Sequence, residues 1–213
     1  MIDYSLYLCT NDEMNQDYNI EECVEQAIQG GVTFVQLREK NKSKEELLIV
    51  GKRIKEITDK YRVPLVINDY IDVAVELDAA GVHLGQNDIS CLEARKILGP
   101  NKIIGITVTN LTEARIAISQ GATYLGVGAI YKSKTKKDAK VVGKSNLKKI
   151  SEYSNIPIVV IGGINKKTIH KLKNIKIDGY AVIRAILGEK DIVEAAIDLK
   201  NIIQKNKKNR SLK

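Results

Sequence analysis

The sequence predicts an α/β fold, a single (β/α)8 TIM barrel with short loops. Short apolar segments of strand-like composition alternate with longer segments whose apolar residues recur every three or four positions, as they do in helices. Glycine repeatedly ends a predicted helix just before an apolar strand, as at Gly30-Gly31, Gly81 and Gly121. Eight such alternations within 213 residues fit a barrel better than an open doubly wound sheet, whose glycine-rich dinucleotide fingerprint is absent.

The predicted strands are short, apolar and rich in β-branched residues. In chain order they are Ser5–Cys9, Val32–Leu37, Leu65–Ile67, Val82–Leu84, Ile103–Val108, Thr123–Val127, Ile158–Ile161 and Gly179–Ile183. The predicted helices each place their apolar residues on one face. They are Ile20–Gln29, Lys44–Lys60, Tyr70–Leu77, Cys91–Leu98, Thr112–Gln120, Lys144–Tyr153, Lys166–Asn174 and Asp191–Lys205.

The composition of the chain excludes several classes of protein. With 44% hydrophobic and 28% charged residues, it suits one globular domain. It has no apolar run long enough to span a membrane and no basic-then-apolar leader. Its cysteines, Cys9, Cys23 and Cys91, are too few and too widely spaced for a disulfide framework or a zinc site, which favours a reducing cytoplasm. The sequence leaves open whether identical chains assemble.

The basic charge of the chain is concentrated at its C-terminus. The formal net charge is +8, and five basic residues lie within residues 205–213. We therefore expect residues 1–204 to form the barrel and residues 205–213 to form a disordered, solvated tail. A nucleic-acid partner is not expected, because the chain has no Trp, one Phe and no recognisable binding motif.

Polar residues follow the predicted strands at the ends that would form one rim of a barrel, where barrel enzymes place their sites. Asp69 follows the third strand and Asp88 follows the fourth, so the two carboxylates should lie close together. Such a pair suits Mg²⁺ beside phosphate oxygens, although each aspartate alone is as well explained as a helix N-cap. At the end of the second strand, Gln36, Arg38 and Lys40 share one face and suit an anionic ligand, a salt-bridged rim being the alternative.

Other strand ends offer further phosphate ligands. The fifth strand carries the Thr107 hydroxyl, and the loop after the sixth has five lysines between positions 131 and 140, which is typical of a lid or of a solvated loop. Gly162-Gly163 would let a phosphate approach the backbone after the seventh strand, and Ile183-Arg184 ends the eighth. We interpret His83, inside the fourth strand, as a packed histidine. The site then has no evident nucleophile or base, and it suits the release of a stabilised diphosphate.

Five segments resemble the thiamine-phosphate synthase family, and they occur in order along nearly the whole chain. They are Gln36-Leu37-Arg38-Glu39-Lys40, Asn68-Asp69, Gly85-Gln86-Asn87-Asp88, Thr135-Lys136-Lys137-Asp138 and Gly162-Gly163-Ile164. The resemblance implies a cytoplasmic transferase that joins a hydroxymethylpyrimidine diphosphate to a thiazole phosphate, or to its carboxylated form. The products would be thiamine phosphate and diphosphate, formed by a dissociative, Mg²⁺-assisted substitution.

The resemblance also implies roles for individual residues. Asp69 and Asp88 would bind Mg²⁺. The pyrimidine diphosphate would be contacted by Gln36, Leu37, Arg38, Glu39, Lys40, Asn68, Thr107 and Lys136. The thiazole phosphate would be held by Ser133, Lys134, Thr135, Gly163, Ile183 and Arg184. The catalytic residues would be Arg38, Lys40 and Lys136, which stabilise the departing diphosphate.

The chain departs from the family pattern at Thr107 and Arg184, where serine is more common. Two other functions stay open at this point. A thiazole tautomerase of the same fold would not need the metal pair and the lysine loop together. A non-catalytic binder of thiamine precursors would be expected to carry a further domain.

Overall fold

The computed structural model describes residues 2–14, 17–132 and 141–211, and for residues 209–211 only the backbone. Its eight parallel strands form a closed barrel in chain order, with the last strand beside the first. The strands are β1 (Leu6–Cys9), β2 (Phe34–Leu37), β3 (Leu65–Asn68), β4 (Gly81–Leu84), β5 (Ile103–Val108), β6 (Tyr124–Val127), β7 (Ile158–Val160) and β8 (Gly179–Val182). The predicted barrel is confirmed, and every predicted strand is present.

Helices connect the strands around the outside of the barrel. They are α1 (Ile20–Gln29), α2 (Lys44–Lys60), α3 (Ile71–Glu76), α4 (Cys91–Leu98), α5 (Leu111–Ser119), α6 (Gly143–Tyr153), α7 (Lys166–Ile169), α8 (Arg184–Leu187) and α9 (Ile192–Ser211). Capping residues decide where several of them begin. In α2 the Ser43 side chain accepts from the Glu46 N–H, and the Glu46 carboxylate accepts from the Ser43 N–H, which is a reciprocal capping box.

Two short segments differ from the sequence prediction. The helix predicted over Lys166–Asn174 is a single turn, α7, followed by a 3₁₀ turn at His170–Leu172. Helix α8, directly after β8, was not predicted, because four residues are too few to show a helical period. Its position matters for the site, since it begins with Arg184 at the rim of the barrel.

The final helix corrects the expectation of a disordered tail. Helix α9 continues to Ser211, beyond its predicted end at Lys205. Asn206 is only 4% exposed, and the Lys207 Nζ lies 2.5 Å from the Ser5 Oγ, so this part of the tail packs against the barrel. The basic residues that suggested a solvated tail are also good helix formers, and they extend an amphipathic helix that is already docked. Residues 212 and 213 lie outside the described residues.

The barrel has two distinct cores. A large aliphatic core fills the space between the sheet and the helices. A smaller aromatic core lies inside the barrel and contains Tyr4, Tyr7, Phe34 and Tyr124. The rings of Tyr7 and Phe34 are 4.6 Å apart between centroids. Within the described residues, no helix has both the length and the apolar character needed to cross a membrane.

Candidate active site

A cavity of about 730 Å³ opens at the carboxyl ends of the strands. All eight strands, or the loops that directly follow them, contribute residues to its wall. This is the face on which (β/α)8 enzymes assemble their active sites, because the loops that follow the strands meet there. The described part of the chain therefore places most of the sequence-predicted site residues around one volume.

The alternation predicted for the end of β2 is confirmed. Gln36, Arg38 and Lys40 line the cavity. The two intervening side chains point elsewhere: Leu37 lies in the aliphatic core, and the Glu39 Oε2 accepts from the Asp12 N–H at 2.8 Å. The structure therefore does not bring the Leu37 and Glu39 side chains to the cavity, although the family resemblance implied substrate contacts for both. A strand alternates faces, so neighbouring residues of a motif cannot all face one ligand.

Glu39 has a structural role behind the site. It is only 4% exposed, and burial raises the pKa of its carboxyl to about 7. Through the bond to Asp12 it holds the 3₁₀ turn at Asp12–Met14, and Lys42 pairs with the Asp12 carboxylate at 2.5 Å. The carboxyl thereby ties the loop after β1 to the end of β2, beside the two cavity-facing cations of that strand.

The carboxylate pair predicted from β3 and β4 is brought together. Asp69 and Asp88 both line the cavity. Burial raises the pKa of the Asp88 carboxyl, and the nearby Asp69 raises it further, although the Gly85 N–H, 2.6 Å from the Asp88 Oδ2, lowers it. The Lys40 Nζ lies 2.8 Å from the Asp69 Oδ2. Two carboxylates that disfavour each other's charge fit a divalent cation, which would relieve that repulsion.

The backbone conformation of Asp69 is unusual. Its φ is +65°, in the left-handed region that aspartate tolerates better than most residues. The described residues contain no group of three or more His, Cys, Asp and Glu side chains arranged to hold a metal. A two-carboxylate site suits Mg²⁺, which commonly keeps several waters and takes its other ligands from substrate phosphates.

A hydrogen-bonded chain across the inside of the barrel was missed by the sequence analysis. The His83 Nδ1 lies 2.7 Å from the Tyr124 hydroxyl, and the His83 Nε2 lies 2.8 Å from the Thr107 Oγ1. The Tyr124 hydroxyl lies 2.8 Å from that of Tyr7, which accepts from the Gln36 Nε2 at 2.6 Å. All five residues line the cavity. We name them the tyrosine–histidine chain.

The only sequence signal for this chain was the occurrence of tyrosine and histidine at inward-facing strand positions. Two of the four bonds join adjacent strands, but Tyr124 of β6 meets Tyr7 of β1 and His83 of β4 across the barrel. Local sequence patterns do not carry that information. The interpretation of His83 as a packed histidine is therefore incomplete. Its ring is partly buried against Tyr124, but it also borders the cavity.

Glycine backbone forms part of the cavity wall on the side of β7 and β8. Gly162 and Gly163 have φ values of +95° and +65°. A Cβ at Gly163 would lie 2.7 Å from the Tyr131 Cβ and 2.9 Å from the Lys132 carbonyl oxygen, so only glycine fits there. Ile183 and Arg184 also line this side, as does Lys132. The predicted ligands Ser133, Lys134, Thr135 and Lys136 lie outside the described residues.

Comparison with known proteins identifies the family. The family described as thiamine monophosphate synthase matches residues 6–186. The chain belongs to this family. A thiamine-phosphate synthase of Clostridium beijerinckii is 50% identical over 200 residues, covering 94% of this chain and 96% of that relative. Another, from Clostridium tetani, is 46% identical over 198 residues, covering 93% and 95%.

A solved structure supports the same family assignment. The thiamine phosphate pyrophosphorylase from Pyrococcus furiosus superposes with a TM-score of 0.87 at 36% identity, covering 95% of this chain and 96% of that one. Thiamine-phosphate synthesis, a transferase reaction, is thus the activity that the family and these relatives support for the chain. The resemblance stated from five short segments is confirmed over nearly the full length.

Proposed function

We propose that the chain joins a hydroxymethylpyrimidine diphosphate to a thiazole phosphate, or to the carboxylated form of that thiazole, and releases thiamine phosphate and diphosphate, with carbon dioxide as a further product when the thiazole is carboxylated. The observation that carries the proposal is the division of one cavity into two unlike sides. One side gathers Arg38, Lys40, Asp69 and Asp88, and the other offers the glycine backbone at Gly163 beside Arg184. Two phosphorylated substrates would lie with their reacting ends between these sides.

The reaction needs charge stabilisation more than a nucleophile from the protein. The bond between the pyrimidine methylene carbon and the diphosphate oxygen breaks, and both electrons leave with the diphosphate. The lone pair of the thiazole nitrogen then forms the new carbon–nitrogen bond. Arg38 and Lys40 would act as catalytic residues because the charge on the leaving oxygens grows as the bond breaks, so their attraction is stronger in the transition state.

Mg²⁺ is the cofactor that we propose for the charged side. Asp69 and Asp88 would hold it, which fits the hard oxygen donors and the raised pKa of Asp88 beside Asp69. When bound, Mg²⁺ supplies positive charge that neutralises diphosphate oxygens. Asn68, Gln36 and Thr107 border the same side and would orient the pyrimidine diphosphate through amide and hydroxyl groups.

The thiazole phosphate would occupy the β7–β8 side. The Gly163 backbone, the Ile183-Arg184 end of β8 and the predicted residues Ser133, Lys134 and Thr135 would surround it. Lys136 keeps its predicted catalytic role toward the pyrimidine diphosphate on the strength of the family resemblance alone.

We also propose a cytoplasmic enzyme. Cys9, Cys23 and Cys91 are buried and unpaired, which suits a reducing compartment.

The test is diphosphate release by the purified protein supplied with both substrates, in Mg²⁺ or in EDTA. We expect release in Mg²⁺ with stoichiometric formation of thiamine phosphate, and loss of both in EDTA. Restoring excess Mg²⁺ after EDTA is the control for denaturation. Absence of release from folded protein in Mg²⁺ would overturn the proposal and direct attention to thiazole tautomerisation.

A further inference from the structure

We propose that the tyrosine–histidine chain has one fixed polarity, that is, one direction in which its hydrogen bonds donate. This polarity decides whether the group at each end donates or accepts, and so couples recognition of the substrate at one end to recognition at the other. At one end, Thr107 donates to the diphosphate; at the other, the Gln36 amide oxygen accepts from the amino group of the pyrimidine. The inference rests on the proposed function for the identity of the substrate. Tyr7, Tyr124 and His83 are then positioning residues, which act on substrate through Gln36 and Thr107.

The polarity begins at Gln36. Its Nε2 lies 2.6 Å from the Tyr7 hydroxyl oxygen, and an amide nitrogen can only donate. The Tyr7 oxygen therefore accepts, and its single proton is directed to the next oxygen in the chain, that of Tyr124, at 2.8 Å. Both tyrosines are fully buried, so a hydroxyl proton without an acceptor would be costly here.

The polarity continues through the histidine. Because the Tyr124 oxygen accepts from Tyr7, its own proton goes to the His83 Nδ1, 2.7 Å away. A ring nitrogen that accepts carries no proton, so His83 is neutral and protonated on Nε2. The Nε2–H then donates to the Thr107 Oγ1 at 2.8 Å, and the Thr107 proton remains available for an acceptor in the cavity.

The hydrogen-bonding roles of Thr107 and Gln36, at the two ends of the chain, can only change together. The opposite polarity would require a turned Gln36 amide and a proton on the His83 Nδ1, and every bond between them would reverse. Thr107 would then offer lone pairs toward a diphosphate, and Gln36 would offer N–H groups toward an amino group. Both contacts would be repulsive. A ligand that needs a donor at Thr107 therefore selects the Gln36 orientation that accepts from an amine.

Tyr4 provides a matched control within the same aromatic core. Its ring lies 4.9 Å from those of Phe34 and Tyr124, yet its buried hydroxyl has no hydrogen-bond partner among the described residues. Tyr4→Phe thus removes the same atom as Tyr124→Phe from the same core without interrupting the chain.

The first test determines which ring nitrogen of His83 carries the proton. The sequence has two histidines, so a long-range ¹H–¹⁵N spectrum of labelled protein contains two ring systems, and His170→Gln assigns them. We expect a neutral His83 protonated on Nε2 in the wild type and in Tyr4→Phe, and a mixed tautomer in Tyr124→Phe. A wild-type ring protonated on Nδ1, or on both nitrogens at neutral pH, would overturn the proposed polarity. This readout does not require catalysis.

The second test measures whether the chain affects recognition of the pyrimidine amino group. It compares kcat/KM for the aminopyrimidine diphosphate with that for an analogue carrying a carbonyl in place of the amino group. Loss of one buried hydrogen bond corresponds to about a three- to tenfold effect, so we expect Tyr124→Phe and Tyr7→Phe to reduce the discrimination by about that factor and Tyr4→Phe to preserve it. Unchanged discrimination in both folded chain variants would overturn the coupling. If the wild type shows the expected tautomer but makes no thiamine phosphate, the proposed function fails and the polarity stands.

Discussion

The two sides of the cavity would offer different kinds of groups to the two proposed phosphate ligands. The β2–β4 side presents two cations and a pair of carboxylates, Arg38, Lys40, Asp69 and Asp88. The β7–β8 side presents glycine backbone together with the separate charged residues Lys132, Arg184 and Glu189. Charged groups suit a ligand whose charge changes during the reaction, because their attraction then differs between ground and transition states. Closely fitting backbone suits a group that is only held in place. From this difference we expect substitutions on the β2–β4 side to lower turnover and substitutions on the β7–β8 side to weaken substrate binding.

The largest effect is expected on the charged side. Asp88→Asn should lower kcat/KM for diphosphate release by about a thousandfold, because one of the two proposed ligands for Mg²⁺ would be lost. The matched control is Asp72→Asn, which changes an exposed carboxylate paired with Lys44 outside the cavity. Steady-state kinetics over a range of Mg²⁺ concentrations measure both. A loss of less than threefold in folded Asp88→Asn would contradict the metal assignment.

The next largest effect is expected at the glycine backbone. Gly163→Ala forces a Cβ to within 2.7 Å of the Tyr131 Cβ and should raise the KM for the thiazole phosphate by about tenfold or more, with little change in the KM for the pyrimidine diphosphate. Gly99→Ala is the control, since Gly99 also has a positive φ, +73°, but has nothing within 4 Å of the new Cβ. Equal effects on both KM values would contradict the division of the cavity.

A smaller effect is expected at Arg184. Arg184→Ala removes a cation from the rim and should raise the KM for the thiazole phosphate by about three- to tenfold, with kcat nearly unchanged. Arg184→Ser, which introduces the residue more common in the family, should recover part of that loss. Arg115→Ala, which removes an arginine stacked on Tyr153, is the control. If Arg184→Ala lowers kcat instead, Arg184 acts on the chemical step and the contrast between the two sides is weaker than proposed.

Much of the fold and part of the site follow from local sequence patterns. The barrel was predictable because eight apolar strands alternate with amphipathic helices, and the cavity-facing set at the end of β2 followed from strand alternation. The site contacts of Leu37 and Glu39 were expected from a family motif that ignores this alternation. The tyrosine–histidine chain was not predictable, because Tyr124 joins its two halves by meeting Tyr7 and His83 across the barrel. Helix α9 extends beyond its predicted end, because charge alone does not distinguish a solvated tail from a helix that packs against the barrel.

The smallest effect on catalysis and the sharpest on stability are expected at Glu39, which supports the charged side from behind. Its pKa is about 7 in the folded protein, against an ordinary value of 4.5, so the folded state binds more protons between these values. The free energy of unfolding should therefore fall as pH rises from about 5 to 8, since burying the charged carboxylate becomes unavoidable.

Glu39→Gln keeps the shape without the charge and should flatten this slope. It should gain at most about 3 kcal/mol relative to the wild type at pH 8, and less at pH 5. Urea midpoints at the two pH values measure the difference, with Glu56→Gln on the exposed face of α2 as the control. If the gain of Glu39→Gln is the same at both pH values, the carboxyl does not titrate in this range. The charged side would then be supported by an ionised Glu39 instead of a neutral one.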